Sequence, residues 1–472
     1  MANTAISRSQ HKFSLKVSVS FVVCFCTNTL CILKMVLSPT ISDLNETELF
    51  TILSKLPLVD LFTLRSVCRQ WSKVAIQVVE SNVSVLNLQT AFGDEQRLPV
   101  DPQPCLEAIR LMIKHSAKLS VIDLSSFATV YNFSLEPRWE YQGDGEYAMK
   151  VNYFPFNDND LHLISVKCPS LRTLKLSWLF DSISDDGLRD IITCCLNLER
   201  LDLDDCWNIT GKYFHMSTSR LQRVNCLEMS HTAADVVVHQ LGKSPARLGL
   251  RALLLGLSDT DAKLQFNAAE VLQYLCDRFK NLTYFCWGFK INVENSTQVI
   301  SSLYNLETLD IRTDGKSLND TALNRIMRNC PKLKRVALEL YPITKSSTEE
   351  EFDGEEDETS DPSRVGITDE GLRGMPMYCQ NIEAVALTGC NRVSDKGVIN
   401  IIMRIKKLTL LKVDCPEVTA DSVCALVQIC GLRADKHMKF YLNVDDMPEI
   451  EDIKNLTKLE DTDEFDELFY RE

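Results

Sequence analysis

The hydrophobic positions of the chain follow two different periods. Between residues 41 and 75, Leu49, Ile52 and Leu53 lie three and four positions from one another and from their apolar neighbours, the spacing that lines one face of an α-helix. From residue 119 onward, short L-x-x-L-x-L phrases alternate apolar and polar residues, which indicates strands with one buried face. The sequence therefore predicts a small helical module followed by a long array of strands.

The helical module carries more apolar residues than it can bury. After Pro57 a second apolar cluster begins at Leu58 and leads to Trp71. A module of about 40 residues has only a marginal core, so its surplus apolar surface indicates a docking partner. Asn45, followed three residues later by Glu48, predicts a capping box at the start of the first helix.

The L-x-x-L-x-L phrase recurs ten times, and most neighbouring copies are about 23 to 32 residues apart, near the length of a leucine-rich repeat. The copies begin at Leu119, Leu171, Leu198, Leu221, Leu250, Leu282, Leu306, Leu333, Ile382 and Leu408. Between strands the spacing predicts helices, as in the phrases 183–192 and 393–402, where Ser or Asp can cap the helix. One strand and one helix cannot bury a core alone, so the units must stack as an α/β solenoid, with strands on the concave face and helices outside.

Two intervals between copies are longer than the rest. The first, from Leu119 to Leu171, leaves room for an irregular copy or a long loop. The second, from Leu333 to Ile382, contains nine acids and no bases between residues 349 and 361. Such a composition cannot offset the entropy of ordering, so we expect a disordered insertion over 346–364, either a solvated loop or part of a binding face.

The net charge of −14 is concentrated in two acidic segments. The second of these, residues 445–472, has twelve acids against three bases. Its alternating acids and apolar residues indicate either a short interaction segment or an acidic end that aids solubility. Just before it, residues 439–444 are typical of a last strand that closes the array. The rest of the chain offers no basic patch, which excludes nucleic acid as a partner.

The concave face of a leucine-rich array is lined by the residues between and after the strand leucines. The early strands place charged residues there, and the middle strands place apolar ones. We therefore expect an apolar patch with a charged rim, typical of a target-binding hot spot, although a loop could cover part of it. The candidate target-binding residues are Arg200, Asp202, Arg223, Leu227, Leu254, Tyr284 and Phe289.

No catalytic or metal-binding constellation is found in the sequence. The seven histidines have no metal-ligand spacing, and no phosphate-cradling loop or nucleophile motif can be placed. The vicinal pair Cys194 and Cys195 is interpreted as core filling at a helix end, because no cation adjoins it to activate a thiol. The interpretation is a non-catalytic protein that needs no cofactor.

Eighteen cysteines without a CxxC pair favour buried thiols that act as small apolar side chains. These thiols imply a reducing compartment, so we expect a cytoplasmic or nuclear protein. The apolar run of residues 17–37 leaves two readings open, a signal or membrane segment, or a leader over residues 1–34 that precedes a natural start at Met35. A membrane location is disfavoured, since Thr27, Asn28 and Lys34 dilute the run.

Residues 41–80 contain, in order, Leu44, the pair Ile52-Leu53, Leu56-Pro57, Asp60-Leu61 and Val67-Cys68-x-x-Trp71. In this pattern they resemble the F-box, a three-helix module that binds the adaptor Skp1 of cullin-based ubiquitin ligases. The pattern departs from the family where Asn45, Thr47 and Glu48 replace its first Pro and the Glu and Leu that follow. The resemblance implies that the adaptor-binding residues are Leu44, Leu49, Ile52, Leu53, Leu56, Pro57, Leu61, Val67, Cys68 and Trp71.

Residues 81–431 resemble the cysteine-containing leucine-rich repeats that accompany F-boxes, with residues 432–472 as a C-terminal cap and acidic tail. The combined resemblance implies a right-handed, horseshoe-shaped solenoid after the F-box. It implies a substrate-recognition subunit that binds Skp1, and through it a cullin, while the repeats hold a target protein for ubiquitination. The alternative is a leucine-rich-repeat scaffold protein with a degenerate F-box, tethered to a membrane if residues 17–37 are a span.

Overall fold

The structure is a computed structural model that describes residues 44–93, 95–99, 101–131, 138–143, 146–150, 154–229, 233–257, 268–288, 299–314, 318–341, 366–432, 437–443, 456–459 and 462–470. The chain divides into two compact units, Met1–Ile122 and Asp123–Glu472. The leader, the insertion 346–364 and Phe289 lie outside the described residues. Of the helices in the described ranges, none has the length and apolar character needed to cross a membrane.

The first unit begins with the three predicted helices. They are α1 (Glu46–Leu53), α2 (Leu58–Leu64) and α3 (Arg69–Asn82), followed by β1 (Val85–Leu86), α4 (Leu88–Ala91), α5 (Pro102–His115) and β2 (Val121–Asp123). The predicted capping box is confirmed, because the Asn45 side chain accepts from the Glu48 amide at 2.9 Å while the Glu48 carboxylate accepts from the Asn45 amide at 3.3 Å. Two orphan donors of the helix start are thereby satisfied.

The second unit alternates strands with helices. Its strands are β3 (Arg138–Gly143), β4 (Glu146–Lys150), β5 (Thr173–Lys175), β6 (Arg200–Asp202), β7 (Arg223–Met229), β8 (Ala252–Leu257), β9 (Tyr284–Gly288), β10 (Thr308–Asp314), β11 (Arg335–Tyr341), β12 (Ala384–Thr388), β13 (Leu410–Asp414), β14 (Met438–Leu442) and β15 (Leu456–Lys458). Its helices are α6 (Ser125–Thr129), α7 (Asp158–Lys167), α8 (Asp185–Cys194), α9 (Ala233–Lys243), α10 (Ala268–Arg278), α11 (Asp320–Asn329), α12 (Asp369–Leu372), α13 (Gly374–Tyr378), α14 (Asp395–Arg404), α15 (Ala420–Leu432) and α16 (Thr462–Phe469).

The predicted solenoid is confirmed. The strands β5 to β15 form a parallel sheet in chain order, with the separate hairpin β3–β4 in the first long interval. Each of the ten predicted strands begins two residues after the first leucine or isoleucine of its copy. The middle leucine position is fully buried throughout, for example at Leu253, Phe285 and Leu309, each 0% exposed. The alternate residues therefore form the opposite face of the sheet, which we call the strand face.

A Ser/Thr-Asp-x-Gly phrase occurs three times in the second unit, beginning at Ser184, Thr368 and Ser394, and takes part in the contacts between neighbouring helices. The Asp369 carboxylate, in the first turn of α12, accepts from the Ser394 amide at 2.9 Å and from the Ser394 hydroxyl at 2.7 Å, at the cap of α14. Gly397 is required because a Cβ there would lie 2.4 Å from Asp369 Oδ1. The same arrangement recurs in Asp158–Ser184–Gly187 and Asp320–Thr368–Gly371.

The cysteines serve the stacking of repeats. Three buried cysteines that directly follow a helix donate their thiols to a carbonyl of the preceding repeat: Cys195 to Cys168 at 3.8 Å, Cys330 to Leu303 at 3.5 Å and Cys379 to Met327 at 3.2 Å. Burial raises the pKa of Cys195 and Cys379 to about 12, so both are neutral thiols. Cys195 fills core as predicted, while the neighbouring Cys194 is exposed.

Candidate binding surfaces

The predicted adaptor-binding residues fall into two groups by exposure. Leu49, Leu53 and Leu61 are 1%, 1% and 2% exposed and build the core of the helical module. The others remain accessible, and we call them the apolar strip. Cys68 is exposed, and the following residues are partly exposed: Leu44, Ile52, Leu56, Pro57, Val67 and Trp71. A partner can reach only this second group without unfolding the module, so adaptor contact remains a prediction for these residues.

The chain beyond the three helices fixes the start of α2. Gly93, with φ of +84°, comes so close to Pro57 that a Cβ would lie 2.9 Å from its ring. Arg97 pairs with the buried Asp60 of α2 and donates to the Phe92 carbonyl at 2.9 Å. Glycine tolerates this backbone conformation where other residues do not, so the α1–α2 corner is held from outside the F-box sequence.

On the strand face, the predicted residue Asp202 belongs to a hydrogen-bond network. The Asp202 carboxylate accepts from Ser177 at 3.0 Å and from Asn225 at 2.7 Å. Burial raises the pKa of Asp202, against the influence of the Arg223 guanidinium. Arg200, two residues before Asp202 in β6, is exposed.

The structure brings Leu227, Leu254 and Tyr284 together with Ala252 and Cys286, and we call this group the Tyr284 cluster. Its members are buried, with Leu254 2% and Tyr284 4% exposed. Arg223 lies over the Tyr284 ring at 5.0 Å, which is a cation–π contact. The expected apolar patch with a charged edge is therefore present, but it is covered rather than open. Its role in target binding remains a prediction.

The cover comes from the C-terminal end of the chain. Tyr470, directly after α16, packs against the Tyr284 cluster. The Phe465 and Phe469 side chains of α16 pack beside it, on a floor formed by Ala337, Ala384, Ala386 and Leu410. We call this floor, with the side chains of Arg312, Arg335 and Lys412, the α16 site. The alanines lie on the neighbouring strands β11 and β12, and their small side chains leave room for the two aromatic rings.

Three cations hold α16 at separate points. Lys412 pairs with Asp466 at 3.3 Å and lies 5.6 Å from the centre of the Phe465 ring. Arg335 donates to the carbonyl of Phe469 at 3.2 Å, at the helix end where unpaired carbonyls favour a cation. The acidic segment is therefore complementary in charge to the α16 site.

The third cation holds the tyrosine hydroxyl. Tyr470 accepts from Arg312 at 3.2 Å and donates to Asp310 Oδ2 at 2.9 Å. Asp310 is 1% exposed, and Arg312 also pairs with it at 3.2 Å. Burial first, and then the Asp310 charge, raise the pKa of Tyr470 well above its ordinary value, so the hydroxyl stays protonated. An acceptor and a donor thus recognise one hydroxyl group.

Sequence reasoning left the role of the tail open between an interaction segment and a solubilising end, and the structure favours the first. Two features of the sequence could have indicated the interaction segment. Phe465 and Phe469 are four residues apart among acids, which is an amphipathic helical spacing. Ala337 and Ala386 occupy an outward strand position that the earlier repeats fill with larger residues, such as Leu254 and Asp310. Neither signal says which strands the tail contacts.

No metal centre appears among the residues that the structure describes, where no three His, Cys, Asp or Glu side chains come together as ligands. Fourteen cysteines in those ranges are free thiols.

A family model for the F-box domain matches residues 41–78. No curated protein matches the chain. Among solved structures, the yeast Rad7–Elc1 complex aligns at 11% identity over 86% of this chain and 98% of its own, with a TM-score of 0.39. An internalin, InlF of Listeria monocytogenes, aligns at 13% identity over 86% of this chain and 97% of its own, also with a TM-score of 0.39. Both scores are low, so the solenoid assignment depends on the strand pairing observed in this chain.

The class of protein is thus a three-helix docking module followed by a leucine-rich-repeat solenoid. Within that class, residues 41–78 are an F-box domain.

Proposed function

We propose that this chain is the substrate-recognition subunit of an SCF-type E3 ubiquitin ligase. Its F-box would bind Skp1, and through it a cullin, while the strand face holds a target protein. The observation that carries the proposal is the F-box match over residues 41–78 together with the partly exposed apolar strip on that module. The chain would supply no reacting group and would act by raising the local concentration of target lysines.

The free thiols support the compartment. A reducing environment keeps such cysteines unpaired, so we propose a cytoplasmic or nuclear location.

The test is direct binding of purified Skp1 to the full chain, compared between two matched variants. Ile52 and Ile76 are both partly exposed helical isoleucines of this unit, and only Ile52 belongs to the predicted strip. Ile52→Asp should weaken Skp1 binding at least about tenfold, the effect of a charge in an apolar interface core. Ile76→Asp should leave binding within about twofold.

Thermal unfolding of both variants controls for loss of the module. Undetectable Skp1 binding by the folded wild-type chain, or an equal effect of the two substitutions, would contradict the proposal and favour a scaffold protein with a degenerate F-box.

A further inference from the structure

The α16 site recognises its occupant through side chains rather than through strand pairing. α16 is an eight-residue helix, and helices this short are not stable alone in water. Its helical form therefore depends on the floor of alanines and on the three cations. This is recognition of an amphipathic helix in a groove, a mode that a second protein segment can also use.

The site sets a specific chemical requirement for its occupant. Two aromatic rings one helical turn apart fill the floor, with Phe465 and Phe469 stacked at 5.6 Å. A carboxylate one residue after the first ring meets Lys412, and a hydroxyl after the second ring meets Arg312 and Asp310. The order is thus aromatic, acid, two residues, aromatic, tyrosine.

The tail leaves polar groups beneath it unsatisfied. The Tyr284 hydroxyl and Asp310 Oδ1 are buried and have no hydrogen-bond partner within the described chain. Burial without a partner is unfavourable for each group. An occupant with one further hydroxyl at this position, which donates to Asp310 Oδ1 and accepts from the Tyr284 hydroxyl, would satisfy both and bind more tightly than the tail does.

We propose that the strand face over β8 to β13 is a receptor site for an acidic, aromatic helix that ends in tyrosine. The tail occupies this site as an intramolecular mimic, and the target protein carries a segment of the same chemistry that displaces it. The assignment of that segment to a target depends on the function proposed above, whereas the binding chemistry of the site does not. Tethering gives the tail a high effective concentration, so an incoming segment binds in proportion to the fraction of chains whose site is open.

The first experiment measures binding of a fluorescent peptide of residues 456–472 to the full chain by anisotropy. Tyr470→Phe in the chain removes only the hydroxyl and keeps the ring, so it should open the site without unfolding the repeats. We expect the labelled wild-type peptide to bind this variant about three to ten times more tightly than it binds the wild-type chain. Phe465→Ala with Phe469→Ala in the chain should give a larger gain.

A matched pair of lysine variants locates the binding. In the chain with Phe465→Ala and Phe469→Ala, whose own tail no longer fills the site, Lys412→Ala should reduce peptide affinity at least about fivefold, the loss of one desolvated charge pair. Lys396→Ala, at an exposed lysine of α14, should change it less than twofold. Equal affinity for the wild-type and Tyr470→Phe chains, or equal effects of the two lysine variants, would overturn the proposal.

The second experiment selects occupants from a library of displayed peptides on the Tyr470→Phe chain. Enrichment of two aromatics four residues apart with an intervening acid and a following tyrosine supports the proposal. An unrelated consensus would overturn it, and so would a concentration-dependent dimer of the wild-type chain that Tyr470→Ala abolishes, because the occupant would then be a second copy. Neither experiment contains Skp1, so both can be interpreted even if the Skp1-binding test fails.

Discussion

At the scale of single residues, the strained turn after β6 contains a carboxylate that opposes folding at neutral pH. Asp205 adopts a φ of 53° and is 6% exposed. Its Oδ1 accepts from Trp207 Nε1 at 3.3 Å, while Oδ2 has no partner in the described chain. Burial raises the pKa of Asp205 to about 6, although the Trp207 hydrogen bond lowers it.

Because the folded pKa is above the unfolded one, the folded chain holds this proton more tightly, and the ionised group lowers stability above about pH 6. The penalty disappears as the pH falls through the unfolded value. Asn is neutral at every pH, can keep the bond to Trp207, and tolerates positive φ. We therefore expect Asp205→Asn to raise the free energy of unfolding by about 2 kcal/mol at pH 7.5 and by much less at pH 4.

Urea unfolding at the two pH values measures this difference. Asp181→Asn, at an exposed aspartate in the preceding repeat, is the control and should change little at either pH. A gain from Asp205→Asn that does not depend on pH would show that the carboxylate is not the cause.

At the scale of elements, the strands could be predicted from sequence and the junctions between helices could not. The leucines of the L-x-x-L-x-L phrase lie on the buried face of the sheet. The phrase that begins at Leu250 or Leu306 is therefore sufficient to place β8 or β10. The Ser/Thr-Asp-x-Gly phrase was interpreted only as a helix cap. Its aspartate also accepts from the next repeat, and its glycine makes room for the aspartate of the preceding repeat. Both facts depend on the spacing between neighbouring helices.

At the junction between α12 and α14, we expect a Gly→Ala substitution to lower stability, although helix propensity alone predicts that it raises stability. In an isolated helix Gly→Ala is stabilising by about 1 kcal/mol. Gly397→Ala should instead destabilise the chain by about 1 to 3 kcal/mol, since the new methyl group meets Asp369 Oδ1. In the Asp369→Ala background the same substitution should lose its cost, which a double-mutant cycle of urea unfolding measures. Additive effects of the two substitutions would contradict this contact.

At the scale of the whole molecule, the two strands that flank the long acidic interval in the sequence are paired with each other. β11 and β12 pair in parallel from Arg335 with Ala384 onward, on either side of the interval. Asp320 also accepts from the Thr368 amide at 2.8 Å. Strand pairing and this helix-cap contact therefore connect the described residues on the two sides of the interval.

Replacing residues 346–364 by a short Gly-Ser linker should leave the melting temperature within about 2 °C of the wild type, because no described contact of the stack is removed. Differential scanning calorimetry measures the change. A loss of more than about 5 °C, the effect of roughly 3 kcal/mol or more in a unit of this size, would show that the insertion packs on the repeats.

The largest difference between expectation and structure is also at this scale. The sequence predicted Leu227, Leu254 and Tyr284 as one surface, because strand register follows from the repeat. It did not predict that Tyr470, almost two hundred residues after Tyr284, would cover them. Local patterning fixes which residues share a face, whereas contact between distant segments depends on complementary shape and charge that no periodicity encodes.

We propose that one chain joins an adaptor at its F-box to a target segment at its strand face. Sedimentation velocity of the labelled 456–472 peptide, mixed with Skp1 and the chain with Phe465→Ala and Phe469→Ala, measures whether both bind at once. We expect the peptide to sediment in a complex containing all three components, Ile52→Asp to remove only Skp1, and Lys412→Ala to remove only the peptide. A chain that binds one of the two partners only when the other is absent would contradict it.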